Sequence, residues 1–315
     1  MPILGGTVMV LLYVMCSSCM LVVNKASVDA LPFSYTVTAL QTGASALLLL
    51  LTRSLGIISF PNPSRKVVWD WLGVLVAWVV PILFNMNAVS KVTVETMMMF
   101  RSITVVAVAV GDSLFLGSRQ GVRQIIACAV ISAGGISYAW NDLHFDLEGY
   151  TWGLMYSVSM IVNSLYVKSA FEKHKDLSVW TKTYLNNALG TPIVIGIALW
   201  REDMVELWSK SQSVTLWGAT AVAASCFMGL GISMSGIACR SVLSATSFDV
   251  LGNCTKYLTL GISALLGSTN SAASIAGIIV ALGGCALYSP AGAMMVDTLR
   301  CRSVGIAERE REKSK

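Results

Sequence analysis

Two basic residues, Arg101 and Lys256, lie in the middle of long apolar stretches of the chain. A charged side chain at the bilayer centre costs about 2.5 to 3.5 kcal/mol on insertion scales, so it normally faces a watery cavity and has an oppositely charged partner there. Few acidic residues lie near either cation in the sequence. The pair therefore predicts a membrane protein that binds an anionic ligand.

The residues around Lys256 form a polar segment that runs from Asp249 to Tyr257. At helical spacing, Asp249, Gly252, Asn253 and Lys256 share one face, and Gly252 leaves room for a ligand one turn before Lys256. In the functional interpretation, Lys256 and Arg101 neutralise a phosphorylated substrate. The alternative is internal salt bridges, for which the nearest acids are Asp249, Glu95 and Asp112.

A second polar motif, Tyr184-Leu185-Asn186-Asn187, precedes Gly190 in another apolar stretch. Adjacent amides present both hydrogen-bond donors and acceptors, as recognition of a nucleobase edge requires. Asparagine also forms hydrogen bonds between packed membrane helices. The residue types alone leave both interpretations standing.

The composition places these motifs in membrane helices. Only 12% of the 315 residues are charged and 55% are hydrophobic, with a mean hydropathy of +0.69, whereas soluble domains have roughly 25% charged residues. A spanning helix needs about 20 mainly apolar residues, and ten segments satisfy this. They begin near Gly6, Tyr35, Trp69, Val92, Gly121, Tyr150, Trp180, Val214, Val242 and Ser271, and end near Lys25, Arg53, Ala88, Gly117, Trp140, Ala170, Leu199, Cys239, Gly267 and Ser289.

Most of the 22 lysine and arginine residues fall on one side of these segments or in the C-terminal tail. Lys168, Lys182 and Arg240 are assigned to the connections on that side. The positive-inside rule then predicts that both termini are cytosolic. The net charge of +5 follows from this topology, and no nucleic-acid partner is expected.

The sequence also contains an internal repeat. A shift of 150 positions aligns the fourth and fifth segments with the ninth and tenth without a gap; matched pairs include Gly111 with Gly261, Gly134 with Gly284, and Tyr138 with Tyr288. An odd number of spans per half inverts the second copy, as in alternating-access carriers. The predicted fold is all-α, with ten transmembrane helices as a 5+5 inverted repeat. Its predicted parts are residues 1–145, residues 146–290 and a cytosolic tail, 291–315.

These motifs resemble those of the nucleotide-sugar transporters of the drug/metabolite transporter superfamily, and most of all the Golgi GDP-mannose and GDP-fucose carriers. The likeness covers essentially the whole chain, and its segments are Asn24-Lys25, Leu40-Gln41-Thr42, Val94-Glu95-Thr96, Phe100-Arg101-Ser102, Asn186-Asn187 and Gly252 to Lys256. Carriers of this family have ten helices and exchange a cytosolic GDP-sugar for luminal GMP.

The family has two signature motifs, Phe-Tyr-Asn-Asn for the guanine nucleotide and Gly-Ala-Leu-Asn-Lys for nucleotide and sugar. Here Leu185 stands in place of the central aromatic residue and Thr255 in place of the asparagine. The resemblance implies that Lys256 and Arg101 bind phosphates and that Asn186 and Asn187 bind guanine. The remaining residues of the predicted substrate site, on the ribose or sugar side or beside it, are Gly252, Asn253, Thr255, Tyr184, Asp249 and Tyr257.

The sequence thus predicts a Golgi antiporter for GDP-mannose or GDP-fucose, with GMP as the exchanged substrate and the lipid bilayer as its surroundings. A UDP-sugar or triose-phosphate type carrier is the alternative within the same class, because phosphate neutralisation does not select a base. A non-transporting receptor or an intramembrane enzyme is the alternative from other classes. No nucleophile and base pair or metal-ligand spacing occurs in the sequence, so no catalysis, cofactor or metal is expected. A homodimer is left open.

Overall fold

The computed structural model describes residues 2–89, 91–118, 120–140, 146–265 and 271–289, and its regular elements there are eleven α-helices. In chain order they are α1 (Pro2–Ala30), α2 (Ser34–Ser54), α3 (Arg65–Val89), α4 (Val94–Phe115), α5 (Val122–Ala139), α6 (Leu147–Lys173), α7 (Val179–Arg201), α8 (Met204–Gln212), α9 (Leu216–Val242), α10 (Ala245–Leu265) and α11 (Ala272–Tyr288). The predicted all-α class is confirmed.

Ten of the helices coincide with the ten apolar segments, and the differences are local. The short helix α8 lies between the seventh and eighth apolar segments, where the sequence analysis placed no helix. Val242, the predicted start of the ninth segment, is instead the last residue of α9, and α10 begins at Ala245. The predicted tail, residues 291–315, lies outside the described residues.

Side-chain caps explain where several helices begin. Thr93, Ser178, Thr215 and Ser271 each precede a helix, and each side-chain oxygen accepts a hydrogen bond from the backbone N–H three residues later. Such a cap satisfies one of the N–H groups that a helix start leaves without a partner. The polar residues between apolar segments therefore set the helix boundaries.

Six described helices are long and apolar enough to cross a membrane, judged by length and composition. They are Val8–Ala30, Ser34–Ser54, Arg65–Asn85, Glu95–Phe115, Val122–Ala139 and Leu216–Val242. The helix α11 is apolar but shorter. The helix α10, outside this set, carries the polar residues Asp249, Asn253 and Lys256.

The described residues divide into two compact units. Unit 1 is drawn from Met1–Met86 and Ser159–Phe248, and unit 2 from Asn87–Val158 and Asp249–Lys315. Each unit therefore combines helices from both predicted halves of the chain. In unit 1, α1 to α3 pack with parts of α6 to α9, and in unit 2, α4 and α5 pack with α10 and α11.

Within unit 2, α5 and α11 pack through glycines whose contacts are reciprocal under the 150-residue shift. A Cβ atom on Gly134 would lie 2.5 Å from the backbone N of Ala281, and one on Gly284 would lie 2.9 Å from the backbone N of Ile131. The 150-residue shift turns Gly134 into Gly284 and Ile131 into Ala281. The contact between Gly134 and Ala281 and the contact between Gly284 and Ile131 are therefore equivalent. A two-fold axis perpendicular to this antiparallel helix pair produces such an exchange.

Within unit 1, a carboxylate ties the end of α7 to the start of α2. Glu202 accepts hydrogen bonds from the backbone N–H groups of Tyr35 and Thr36, at 2.7 and 3.0 Å, and from the Thr36 hydroxyl at 2.6 Å. A negative charge is favourable at a helix N-terminus, where free N–H groups and the helix dipole meet. This contact fixes α2 against α7, and both helices contribute to the cavity described next.

Candidate functional site

Unit 1 encloses a cavity of about 280 Å³. We call it the amide cavity, because four side-chain amides line it. None of the residues that line it in the described part of the chain is acidic, and Arg240 is the one basic residue among them. The polar lining residues are Thr38, Gln41, Thr42, Ser45, Asn163, Asn186, Asn187, Ser233 and Arg240, and the aromatic ones are Tyr13, Trp78, Phe171 and Phe248.

The predicted amide pair, Asn186 and Asn187, lies in this cavity with two different environments. Asn187 is 3% exposed, and its Nδ2 donates to the Thr183 carbonyl and the Ser233 hydroxyl, both at 2.8 Å. Asn186 is half-buried. The amide N–H groups of Asn187 are therefore already hydrogen-bonded within the cavity wall. Asn186 is the more accessible of the two asparagines.

Another part of the cavity wall is built by α2. The Nε2 of Gln41 donates to Oδ1 of Asn24 on α1 at 2.8 Å. Gly229 of α9 faces Gln41, and a Cβ atom there would lie 3.2 Å from the Gln41 Cβ. Glycine at this position lets α9 approach α2 closely, as small residues do between membrane helices.

Three basic residues assigned to connections lie instead in helices of unit 1. Lys168 is in α6, Lys182 in α7 and Arg240 in α9. Lys182 is only 3% exposed, and Arg240 is half-buried in the cavity wall. The assignment of these three residues to the connections is therefore wrong.

The predicted cations Lys256 and Arg101 both belong to unit 2, on α10 and α4. They lie near enough for their positive charges to repel each other. Arg101 donates from Nη1 to the Tyr156 hydroxyl at 3.3 Å. Among described residues, no ion pair within 4.0 Å involves Lys256, so the alternative salt bridge to Asp249 is not formed.

The other predicted residues of α10 are largely buried. Asp249 accepts a hydrogen bond from the Thr104 hydroxyl at 3.4 Å, and the Asn253 amide donates to the Asp249 carbonyl at 2.9 Å. The Asn253 Oδ1 is buried without a partner in the described part of the chain. Such an orphaned acceptor costs free energy unless another molecule satisfies it.

Three predicted positions have mainly packing contacts. Thr255 is 1% exposed, and its hydroxyl donates to the Leu251 carbonyl in the same helix at 2.9 Å. Gly252 is buried, and Tyr257 lies in the core of unit 2 with its hydroxyl bonded to Ser102. A role of Thr255 in sugar choice stays a prediction.

Tyr184, the first residue of the amide motif, does not line the cavity that the described residues form. Its ring lies 5.4 Å from that of Phe60, between α2 and α3. The residues of the motif therefore face different sides of α7. Asn186 and Asn187 face the cavity, and Tyr184 packs against Phe60 in the connection between α2 and α3.

Sequence reasoning missed the contribution of α9 to the cavity. Gly229, Ser233, Gly236 and Arg240 all line it. Their spacing of three or four residues places them on one helix face. That periodic stripe of small and polar residues, ending in a cation, was the signal available in the sequence.

The architecture and the cavity together define the class of protein. Long apolar helices indicate an integral membrane protein, and a cavity with convergent polar groups between helices is typical of a small-molecule site. The sequence profile of the Triose-phosphate Transporter family matches residues 4–289, and the chain belongs to that family.

Several relatives agree with this assignment. The chain is 28% identical over 260 residues to GDP-fucose transporter 1 of Arabidopsis thaliana, covering 81% of this chain and 76% of that one. It is 27% identical over 283 residues to the GDP-mannose transporter GONST3 of Arabidopsis thaliana, covering 88% and 76%. It is 25% identical over 270 residues to a GDP-mannose transporter of Komagataella pastoris, covering 81% and 80%. These relatives confirm the resemblance drawn from the motifs.

A crystal structure with 15% sequence identity matches the fold with a TM-score of 0.66 and covers 90% of this chain and 97% of that one. At this identity the likeness concerns the fold alone. The family and the relatives named above are transporters.

Proposed function

We propose that this protein is an antiporter that exchanges a cytosolic GDP-sugar, GDP-mannose or GDP-fucose, for luminal GMP by alternating access in the Golgi membrane. The observation that carries the proposal is the amide cavity, which has four amides, one cation and no acidic lining residue in the described chain. A guanine edge needs donors and acceptors side by side, and amides supply both. The relatives that are named GDP-fucose or GDP-mannose transporters support guanine as the base of the substrate.

The ten-helix 5+5 inverted repeat belongs to this proposal. The reciprocal contacts of Gly134 and Gly284 support it, since they repeat under the 150-residue shift. The helix bounds support it too: α4 begins at Val94 and α10 at Ala245, and α5 begins at Val122 and α11 at Ala272. A two-fold axis perpendicular to membrane helices lies in the bilayer plane, which is the geometry of an inverted repeat.

The residue roles are proposed for each unit separately. In unit 1, Asn186 and Asn187 recognise guanine from the wall of the amide cavity. In unit 2, Lys256 and Arg101 attract the diphosphate, while Gly252, Asn253 and Thr255 serve the ribose or sugar. The unsatisfied Oδ1 of Asn253 is a suitable acceptor for a sugar hydroxyl.

Uptake by proteoliposomes tests the function. Purified protein is reconstituted into vesicles loaded with GMP, UMP or inorganic phosphate, and uptake of GDP-mannose, GDP-fucose, UDP-sugars and triose phosphate is measured. We expect uptake of a GDP-sugar that depends on internal GMP. Because the family also includes triose-phosphate carriers, uptake of triose phosphate or a UDP-sugar in preference to every GDP-sugar would refute the proposal.

A further inference from the structure

Arg240 lines the amide cavity, and two more basic side chains that the proposed roles do not use lie beside residues of its wall. We call Lys168, Lys182 and Arg240 the basic cluster. They come from three helices: α6 near its end, α7 near its start and α9 near its end. The carbonyl of Arg240 accepts a hydrogen bond from the Lys168 Nζ at 3.5 Å. Lys168 and Lys182 lie near enough to repel each other.

Two of these cations rest on aromatic rings of the cavity wall. The Cζ of Arg240 lies 4.2 Å from the centre of the Phe248 ring, and the Nζ of Lys182 lies 4.7 Å from the centre of the Phe171 ring. Both rings line the amide cavity. Cation–π contacts of this kind hold a positive charge in place without neutralising it.

The acids near the two lysines of the cluster do not fully neutralise them. Glu172 lies 3.6 Å from Lys168, but its side chain is 55% exposed. Asp176 acts on Lys182 only electrostatically, and among described residues no ion pair within 4.0 Å involves Lys182. A lysine that is 3% exposed is costly to keep charged without an anion beside it.

The amide cavity, which Arg240 lines, has room for such an anion. A neighbouring cleft lined by Lys168, Arg240, Ser244 and Phe248 measures only about 10 Å³, about the space of a single water molecule. A guanidinium presents a planar fork of N–H donors that fits two phosphate oxygens, and lysine adds a mobile point charge. Serine and asparagine groups nearby can bind the remaining oxygens.

We propose that the basic cluster is an anion subsite of the amide cavity that binds the phosphate of a nucleotide whose base lies against the asparagines. This inference rests on the proposed function and adds to it a set of phosphate-binding residues in unit 1. It explains why three basic residues are partly or fully buried in helices. Arg240 and Lys182 distinguish a nucleotide from the nucleoside of the same base.

The test compares GMP with guanosine, which differ only in the phosphate. Dissociation constants are measured by calorimetry on the full chain in detergent, for wild type, Arg240→Gln, Arg240→Lys and Lys182→Met. The matched control is Arg53→Gln, since Arg53 also stacks on a phenylalanine, Phe60 at 4.7 Å, but does not line the cavity. Thermal unfolding confirms that each variant is folded.

We expect Arg240→Gln and Lys182→Met to weaken GMP binding by about tenfold or more, the usual effect of losing a charge-assisted hydrogen bond, and to leave guanosine binding unchanged. Arg240→Lys should retain part of the affinity, and Arg53→Gln all of it. Equal losses for GMP and guanosine would assign these residues a structural role and overturn the inference.

The outcome is separable from that of the proposed function. If wild type prefers UMP or triose phosphate, the GDP-sugar proposal fails, and the same variants are compared with UMP against uridine or with inorganic phosphate. A wild-type protein that binds none of these compounds overturns both. Should Arg240→Gln instead remove a stimulation by phosphatidylinositol while GMP affinity is unchanged, the cluster binds a lipid headgroup and the nucleotide subsite is refuted.

Discussion

At the scale of single residues, Asn186 and Asn187 are adjacent but differ in what their amides do. Asn187 is buried and donates to Thr183 and Ser233, whereas Asn186 is half-buried. A buried side chain whose donors are used within the cavity wall, such as Asn187, helps to position the site. A more accessible side chain, such as Asn186, is available to a ligand. The pair therefore allows the structural and binding contributions to be separated.

Asn186→Ala and Asn187→Ala should each lose affinity for GMP and GDP-sugar together, because both ligands carry guanine. Asn187→Ala should in addition lower the stability by about 1 to 3 kcal/mol, since it removes the buried side-chain hydrogen bonds to the Thr183 carbonyl and the Ser233 hydroxyl. Uptake inhibition and thermal unfolding in detergent measure the two effects. If either variant loses the GDP-sugar but keeps GMP, the asparagine serves the sugar and the guanine assignment is wrong.

Lys256 supports a second prediction at this scale. It is half-buried in unit 2, with Arg101 as a like charge nearby and no ion pair within 4.0 Å among the described residues. Lys256→Ala should abolish exchange while the protein still folds, because the diphosphate loses one of its proposed countercharges. Uptake by proteoliposomes at matched protein density measures this.

Lys91→Ala is the control for Lys256→Ala. Lys91 lies in the connection before α4, and Glu148, 3.0 Å from its Nζ, raises its pKa above the ordinary value, so it is charged at neutral pH. It is exposed and belongs to no proposed site. We expect Lys91→Ala to keep near wild-type uptake. If Lys256→Ala also keeps near wild-type uptake, the proposed role of Lys256 is refuted.

At the scale of helices, the α5–α11 pair shows how small residues fix a packing distance. Gly134 meets the backbone of Ala281, and Gly284 meets the backbone of Ile131, so a methyl group at either position has no room. Gly283, one residue away on α11, has nothing within 4 Å of a Cβ atom. The neighbouring glycines Gly283 and Gly284 therefore differ in whether they can be replaced by a larger residue.

Gly134→Ala and Gly284→Ala should each destabilise the protein by about 1 to 3 kcal/mol, the usual cost of overpacking. Gly283→Ala should stabilise it slightly, since alanine is the better helix former. Thermal unfolding in one detergent compares the three variants. Equal tolerance at all three positions would mean that α5 and α11 are not in close backbone contact.

At the scale of the whole molecule, the proposed topology makes the connections on the two sides distinguishable. With ten spans and cytosolic termini, the connection between α2 and α3 is cytosolic and the one that contains α8 is luminal. A glycosylation acceptor inserted after Gln212 should be glycosylated in microsomes, and the same insertion after Asn62 should not. Modification after Asn62 alone would reverse the orientation and contradict the positive-inside assignment.

Much of the fold could be predicted because the relevant signals are local. Hydropathy summed over about 20 residues locates a membrane helix, and a cap such as Thr93 or Ser271 acts within one turn. The 150-residue shift seen in the sequence also matches one pair of helix bounds, since α5 and α11 begin 150 positions apart, at Val122 and Ala272. The short helix α8 was missed, because its nine residues provide no apolar segment of spanning length.

The sequence by itself determined the helices, the transporter family and the residue types that suit a nucleotide. Only the tertiary structure decided which helices share a unit, that α9 lines the cavity with Arg240 in its wall, and that Lys182 is buried against the ring of Phe171. The physical reason is that burial depends on neighbours distant in the chain. A lysine near a helix end has the same local sequence pattern whether it faces water or, like Lys182, an aromatic ring inside the protein.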